Sequence, residues 1–160
     1  AMAGTRVAVG RVGAGIIVRA SAAAPDVATV DALKQALLSA DSVVYNTAST
    51  GLYLETLFGK LGILDRLKPK TTRYPNGPSV MEHVINGRRN EIGFGAIPEI
   101  RMYEPKGLKL VGPLPAEVQN YTSYDAVVMT GAAFAEAARA VLRELATPAA
   151  KALFAARGVE

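Results

Sequence analysis

Short apolar runs and stretches of helical periodicity alternate along this chain. Residues 6 to 18, "RVAVGRVGAGIIV", are rich in Val, Ile and Gly and predict one long strand or two short ones. After a turn-like link (22–30), Thr29 is placed to cap a helix over 30–39. "SVVYN" (42–46) predicts a short buried strand. In "GLYLETLFGKLG", Leu54, Leu57, Phe58 and Leu61 fall on one helical face, with Gly62 as its C-terminal stop. A strand over 70–74 leads through a "PNG" turn to a helix over 78–86, with Pro78 in its first turn. A strand over 91–96 and a short helix or turn over 97–103 follow. Further strands lie within 108–115 and 120–130. Two helices finish the chain: 132–145, amphipathic through Phe134, Ala138, Val141, Leu142 and Leu145, and 148–157, capped by Thr147 with Pro148 at its first position.

Strands alternating with helices predict an α/β fold with a mixed, mostly parallel sheet flanked by helices. Composition narrows the chemistry. Half of the 160 residues are apolar and a fifth charged, as in a globular protein with a real core. No run approaches the ~18 apolar residues of a membrane-spanning helix. There is no cysteine, hence no disulfide, thiolate metal site or thiol nucleophile. The single histidine, His83, lacks a second His for a metal and reads as a surface or half-buried helical residue. No metal site and no cofactor is expected. The net charge of +4 favours acidic partners weakly, and the basic residues form no run of five. With basic residues dispersed and no aromatic platform, nucleic acid is not expected as a partner.

"GRVGAG" (10–15) invites comparison with the dinucleotide fingerprint, but its spacing is reversed and "IIVRA" follows where a helix must begin. Its glycines predict a bulge or a close backbone approach instead. The strand-to-helix junctions are more informative. At 46–51, Thr47, Ser49, Thr50 and Gly51 sit where unpaired N–H groups and the helix dipole favour an anion. Taken alone, Ser49 or Thr50 would simply cap the helix. A second junction of the same kind carries Asn76, Gly77 and Ser79. A third strand end carries Gly95 and Ala96, whose small size would let a ligand approach the backbone. Three such ends in one small sheet predict a pocket at the carboxyl edge of the strands. The scattered carboxylates Glu55, Glu82, Glu99 and Asp125 mark no acid–base pair, so no catalytic residue is assigned.

The order and spacing of "VGAGIIVR", "APDVATVDALKQALLSADSVVY", "FGKLGILDRLKPKT", "EIGFGAIPEI", "GLKLVGPLPAEVQNYTSYDAVV" and "ATPAAKALFAARGVE" resemble those of the molybdate-binding-protein-like family of periplasmic solute-binding proteins, which serve ABC importers. The resemblance runs from about Arg6 to Glu160. It implies two α/β lobes joined by crossing strands, with an oxyanion or small acid clamped between them. It places ligand contacts at 47–51 and 77–79. It also implies the second lobe over 6–128 and helices over 129–160 that pack on the first lobe, and Ala1 before Met2 reads as part of a tag or disordered start over 1–5. The family's opening half-lobe, signal peptide included, is expected to be missing. The apolar faces of the last helices would then seek a second copy, giving a homodimer or swapped oligomer.

These readings predict a substrate-binding component, or truncated form, that takes a small oxyanion or organic acid and works with an ABC permease. The periplasm is implied by the resemblance, the cytoplasm if the start at Met2 is real. The alternative is an isomerase or related enzyme acting on a small carboxylic acid, with Glu55, Glu99 or Asp125 as base. An effector-sensing domain, as in LysR-type regulators, comes last because no helix-turn-helix pattern or linker is present.

Overall fold

A computed structural model describes all 160 residues. Two compact units are present: Gly13–Asn120, and Ala1–Val12 together with Tyr121–Glu160.

In the larger unit the sheet order is β3-β2-β4-β1-β5, from β1 (Val7–Arg19), β2 (Ser42–Asn46), β3 (Thr71–Tyr74), β4 (Glu91–Ala96) and β5 (Leu108–Pro113). The pairs β2–β3 and β2–β4 are parallel, whereas β1 runs antiparallel to both β4 and β5. The sheet is mixed, and its parallel part is the half that carries the three strand ends singled out above. The register slips between Ile16 and Ile17 where β1 meets β5, a bulge in the glycine-rich strand.

Helices cover both faces, and side-chain alternation sorts the core between them. Ile16, Val18, Val43, Tyr45, Ile92 and Phe94 face α1 (Val30–Ser39), α2 (Ser49–Lys60) and α3 (Leu64–Leu67), where the Phe58 ring meets Tyr45 edge to face and Phe94 at a tilt, each at about 6 Å. Ile17 and Val44 face α4 (Gly77–Asn86) and α5 (Ile97–Tyr103), meeting Val80, Met81, Val84 and Ile100. On this second face the strands carry Gly15, Gly93 and Gly95. A methyl added at Gly93 would come within 2.7 Å of Val84, and one at Gly95 within 2.3 Å of Met81. The missing side chains bring α4 and α5 down onto the sheet.

Helix ends follow local chemistry. Thr29 accepts from Ala32 N, and Asn76 accepts from Ser79 N, each a side-chain cap. Gly62, at φ 68°, takes the left-handed turn after α2.

The smaller unit holds β6 (Tyr121–Ala126), which pairs with β1, then α6 (Ala135–Leu145) and α7 (Pro148–Ala156). Residues 1–5, expected to be disordered, are tied down: Met2 N donates to Val128 O at 2.7 Å and Val128 N to the Thr5 hydroxyl at 3.1 Å. Arg11 and Glu160 exchange both backbone hydrogen bonds, and their side chains meet at 2.8 Å. Helix α6 begins at Ala135, three residues later than the periodicity predicts, and Phe134, at its cap position, offers no side-chain acceptor. The predicted apolar face is therefore split. Leu142 is buried, while Phe134, Val141 and Leu153 of α7 stand 81%, 58% and 71% exposed.

Candidate functional site

The three strand ends named from the sequence share one edge. Asn46 lies opposite Tyr74, and Val44 opposite Gly93, so parallel pairing carries β2, β3 and β4 to the same side. Helices α2, α4 and α5 all start there. Thr47 N donates to Tyr74 O at 2.8 Å, which ties the first junction to the second.

At the first junction, neither Ser49 nor Thr50 caps the helix, as either would if the junction stood alone. Helix α2 begins at Ser49, two residues earlier than predicted, and its cap position is Ala48. Asn46, at the end of β2, does the capping: its Oδ1 accepts from Ala48 N at 3.1 Å and Gly51 N at 3.0 Å. A short amide closing on N–H groups two and five residues ahead outcompetes the hydroxyls between. Ser49 and Thr50 consequently stand in the first turn with hydroxyls that bond nothing in the protein, as does Thr47. Their two backbone N–H groups, the first of the helix, have no carbonyl behind them. Thr47 and Ser49 are exposed and Thr50 half-buried. Gly51 is buried against the strand: a Cβ there would lie 1.7 Å from Asn46 O.

The second junction is poorer in donors. Pro78 has no N–H and Ser79 N is taken by Asn76 at 2.9 Å. What remains is the Gly77 N–H and the Ser79 hydroxyl. Gly77 is buried because the Glu99 carboxyl lies where its side chain would be, Oε2 being 2.0 Å from an added Cβ. Behind it, the Tyr74 hydroxyl and His83 Nδ1 share a hydrogen bond of 2.9 Å, so the single histidine is a half-buried partner of the β3 end.

At the third strand end, Gly95 does not open the backbone to a ligand. It is paired with Gly15 of β1, and Met81 and Ile100 fill the space beside it, so its smallness serves helix packing. Ala96 is half-buried at the start of α5. At this edge Thr47, Ser49 and Asn76 are exposed while Gly51, Gly77 and Gly95 are buried, and a cavity of about 470 Å³ lies elsewhere, between residues 24–28 and 111–116.

The three carboxylates considered as bases differ sharply. Glu55 is paired with Arg73 at 2.7 Å, which also lies over the Tyr45 ring. Asp125 belongs to the smaller unit and is paired with Arg6. Glu99 has neither ion pair nor hydrogen bond, and burial pushes its carboxyl above the usual carboxylate range. Sequence reasoning had no means of ranking these three, because Gly77 and Glu99 meet only through the packing of α5 beside α4. The role of Asn46 did have a signal, an Asn three residues before a helix start.

Comparison with known proteins agrees with this architecture. A family model described as bacterial extracellular solute-binding protein matches residues 1–160. An aconitate isomerase from a Pseudomonas species is 32% identical over 151 residues, covering 93% of this chain and 56% of that protein. The chain thus spans about half the length of that relative. Among solved structures, a substrate-binding domain assigned to a molybdenum ABC transporter of Clostridium difficile superposes with a TM-score of 0.76 at 16% identity, over 98% of this chain and 66% of the other. The periplasmic molybdate-binding protein of Azotobacter vinelandii gives 0.72 at 20%, over 100% and 69%. At such identities the two structures establish a shared fold and leave the ligand open.

Proposed function

Because this chain belongs to the bacterial extracellular solute-binding protein family, we propose that its larger unit binds a small oxyanion or small organic acid at the first turns of α2 and α4. The observation that carries this reading is the division of labour at the first junction. Asn46 holds the helix, which leaves the hydroxyls of Thr47, Ser49 and Thr50 and two N–H groups without protein partners. Such a set of neutral donors suits an anion that must later be released.

Magnitudes limit what this edge does alone. A helix N-terminus contributes roughly 0.3–1 kcal/mol to an exposed anion. Micromolar affinity requires about 8 kcal/mol. Hydrogen bonds to a charged ligand, at roughly 1.5–3 kcal/mol each, must supply most of the rest after the cost of immobilising the ligand. The edge therefore binds in the millimolar range unless a second surface closes over it. In keeping with the family, the larger unit, Gly13–Asn120, acts as one lobe of a two-lobed clamp. The helices over 129–160 serve the other lobe, the setting is the periplasm, and an ABC permease is the partner. The exposed Phe134, Val141 and Leu153 are covered by a second copy when the chain stands alone. The test is thermal: millimolar oxyanions and di- or tricarboxylates should raise the melting temperature, since a ligand for the folded state stabilises it. A full panel without effect would remove the binding reading.

A second reading is favoured by one observation, the unpaired Glu99 at this edge in a chain 32% identical to an aconitate isomerase. A carboxyl with a raised pKa can take a proton from one carbon of an unsaturated acid and return it to another. NMR of an aconitate solution with the protein separates the two readings: isomer interconversion above the buffer rate supports the enzyme.

A further inference from the structure

We propose that Asn86 is a site of self-modification: it cyclises onto the Gly87 backbone, loses its side-chain nitrogen as ammonia, and so unties the C-terminal end of α4. This chemistry is independent of what the sheet edge binds. The chain contains two Asn-Gly pairs, Asn76–Gly77 at the start of α4 and Asn86–Gly87 at its end.

A glycine after asparagine leaves the next backbone nitrogen free to approach the side-chain carbon, because no Cβ stands in the way. The two pairs differ in each group that this attack requires. Asn76 is held: its Oδ1 accepts from Ser79 N at 2.9 Å, and Gly77 is buried at the head of the helix. Asn86 is exposed and is the last helical residue, where helices fray. The Gly87 N–H, which attacks, makes no hydrogen bond within the chain. One exposed hydrogen bond, from Asn86 Nδ2 to Glu82 O at 2.9 Å, restrains the amide.

The step balances with water alone. Gly87 N gives up its proton and bonds to Asn86 Cγ, and Nδ2 leaves as ammonia, which closes a succinimide ring. Water then opens the ring at either carbonyl. One product is an aspartate at position 86, the other an isoaspartate whose main chain runs through the former side chain.

Both products act on the same anchor. Gly87 O receives the Arg19 guanidinium, and the carboxyl of buried Glu91 fills the space where a Gly87 side chain would stand. Glu91 also accepts from Arg89 N at 3.2 Å. These contacts fasten the end of α4 to β1 and β4. Either product sets a new carboxylate at the negative end of the helix dipole, one residue from the Glu91 contact. The isoaspartate also lengthens the main chain by one carbon, which draws Gly87 O away from Arg19. Arg19 Nε is already buried without a partner, so the guanidinium has no spare bond to fall back on.

The wild-type chain, incubated at mildly alkaline pH in the native state and in urea, then digested, tests this by mass. Each conversion exchanges an amide for an acid and adds one mass unit. In urea the two pairs should convert alike. In the native chain Asn86 should convert nearly as fast as in urea, while Asn76 lags by about tenfold or more, the factor a helix cap imposes on opening. Native protection of Asn86 equal to that of Asn76 overturns the assignment and needs no variant to fold. Asn86→Gln, whose ring would be strained toward six members, should stop the gain at this position, and a gain that persists there overturns the cyclisation. Converted chains carry an extra negative charge and separate on an ion exchanger. Their melting temperature should lie roughly 2–4 °C below that of unconverted chains, and equal values overturn the release of α4.

Discussion

Asn46 Oδ1 accepts the backbone N–H of Gly51 at 3.0 Å, so the side chain that ends β2 holds the helix that follows it. The group that anchors the helix and the donors proposed for a ligand are thereby separate at one junction. Asn46→Ala should cost about 0.5–2 kcal/mol, the usual loss for a cap, measured by urea unfolding. Asn46→Asp keeps the acceptor but adds a negative charge beside the proposed site. It should leave stability nearly unchanged and weaken anion binding, which distinguishes the two roles in one pair of variants.

Gly51→Ala is expected to be harsher than any hydroxyl change nearby. Its Cβ would enter the Asn46 carbonyl, a rigid backbone atom. A loss of at least about 1–3 kcal/mol is expected, as for overpacking elsewhere. Thr47→Val and Ser49→Ala should stay within about 0.5 kcal/mol of wild type while lowering anion affinity. A denaturation series over these variants reads the order directly.

The second face of the sheet makes a different prediction. At Gly93 an added methyl meets the branched Val84 and Ile17, whereas at Gly95 it first meets the flexible end of Met81. Gly93→Ala should therefore destabilise more than Gly95→Ala, both within about 1–3 kcal/mol. The reverse order in chemical denaturation would mean that Gly95 is small for some purpose other than packing.

Glu99 gives the chain a pH signature even without ligand. Its pKa is raised on folding, so the native state holds the proton more tightly than the unfolded chain. The stability it contributes is complete below the unfolded value and is lost as pH rises through the folded one. Against Glu99→Gln, the wild type should lose ground over that window. A difference in melting temperature that stays flat from acid to neutral pH would contradict the burial of this carboxyl.

The exposed Phe134, Val141 and Leu153 predict self-association. Light scattering at micromolar concentration should give twice the mass of one chain or more. The double variant Phe134→Ser, Leu153→Ser should return it to one chain. A wild-type mass equal to one chain would dispose of the second copy.

Local signals carried much of this fold. Thr29 and Thr147 cap where their spacing predicts, and β2 and β4 begin and end as their apolar runs do. Each of these depends on residues within a turn of one another. That Asn46 and not Ser49 or Thr50 holds α2 is decided by loop geometry, whereas composition alone favours the hydroxyls as caps. Gly95 was misread as an opening because the methionine that fills its space comes from α4, fourteen residues earlier. Glu99 could not be separated from Glu55 and Asp125, since ion pairing across elements is a tertiary fact. That the three strand ends share one edge was legible because they repeat a local motif. The inner arrangement of that edge was not, because contacts between motifs decide it.

The capping by Asn46 has a further consequence for how this surface can change over generations. Positions 47, 49 and 50 carry no structural obligation through their hydroxyls, so under the proposed binding role substitutions there would alter what the edge recognises while the helix stays anchored. Relatives with this Asn could diverge widely in ligand choice through those three positions alone, whereas a chain that capped α2 with Ser49 would have to trade folding against every such change.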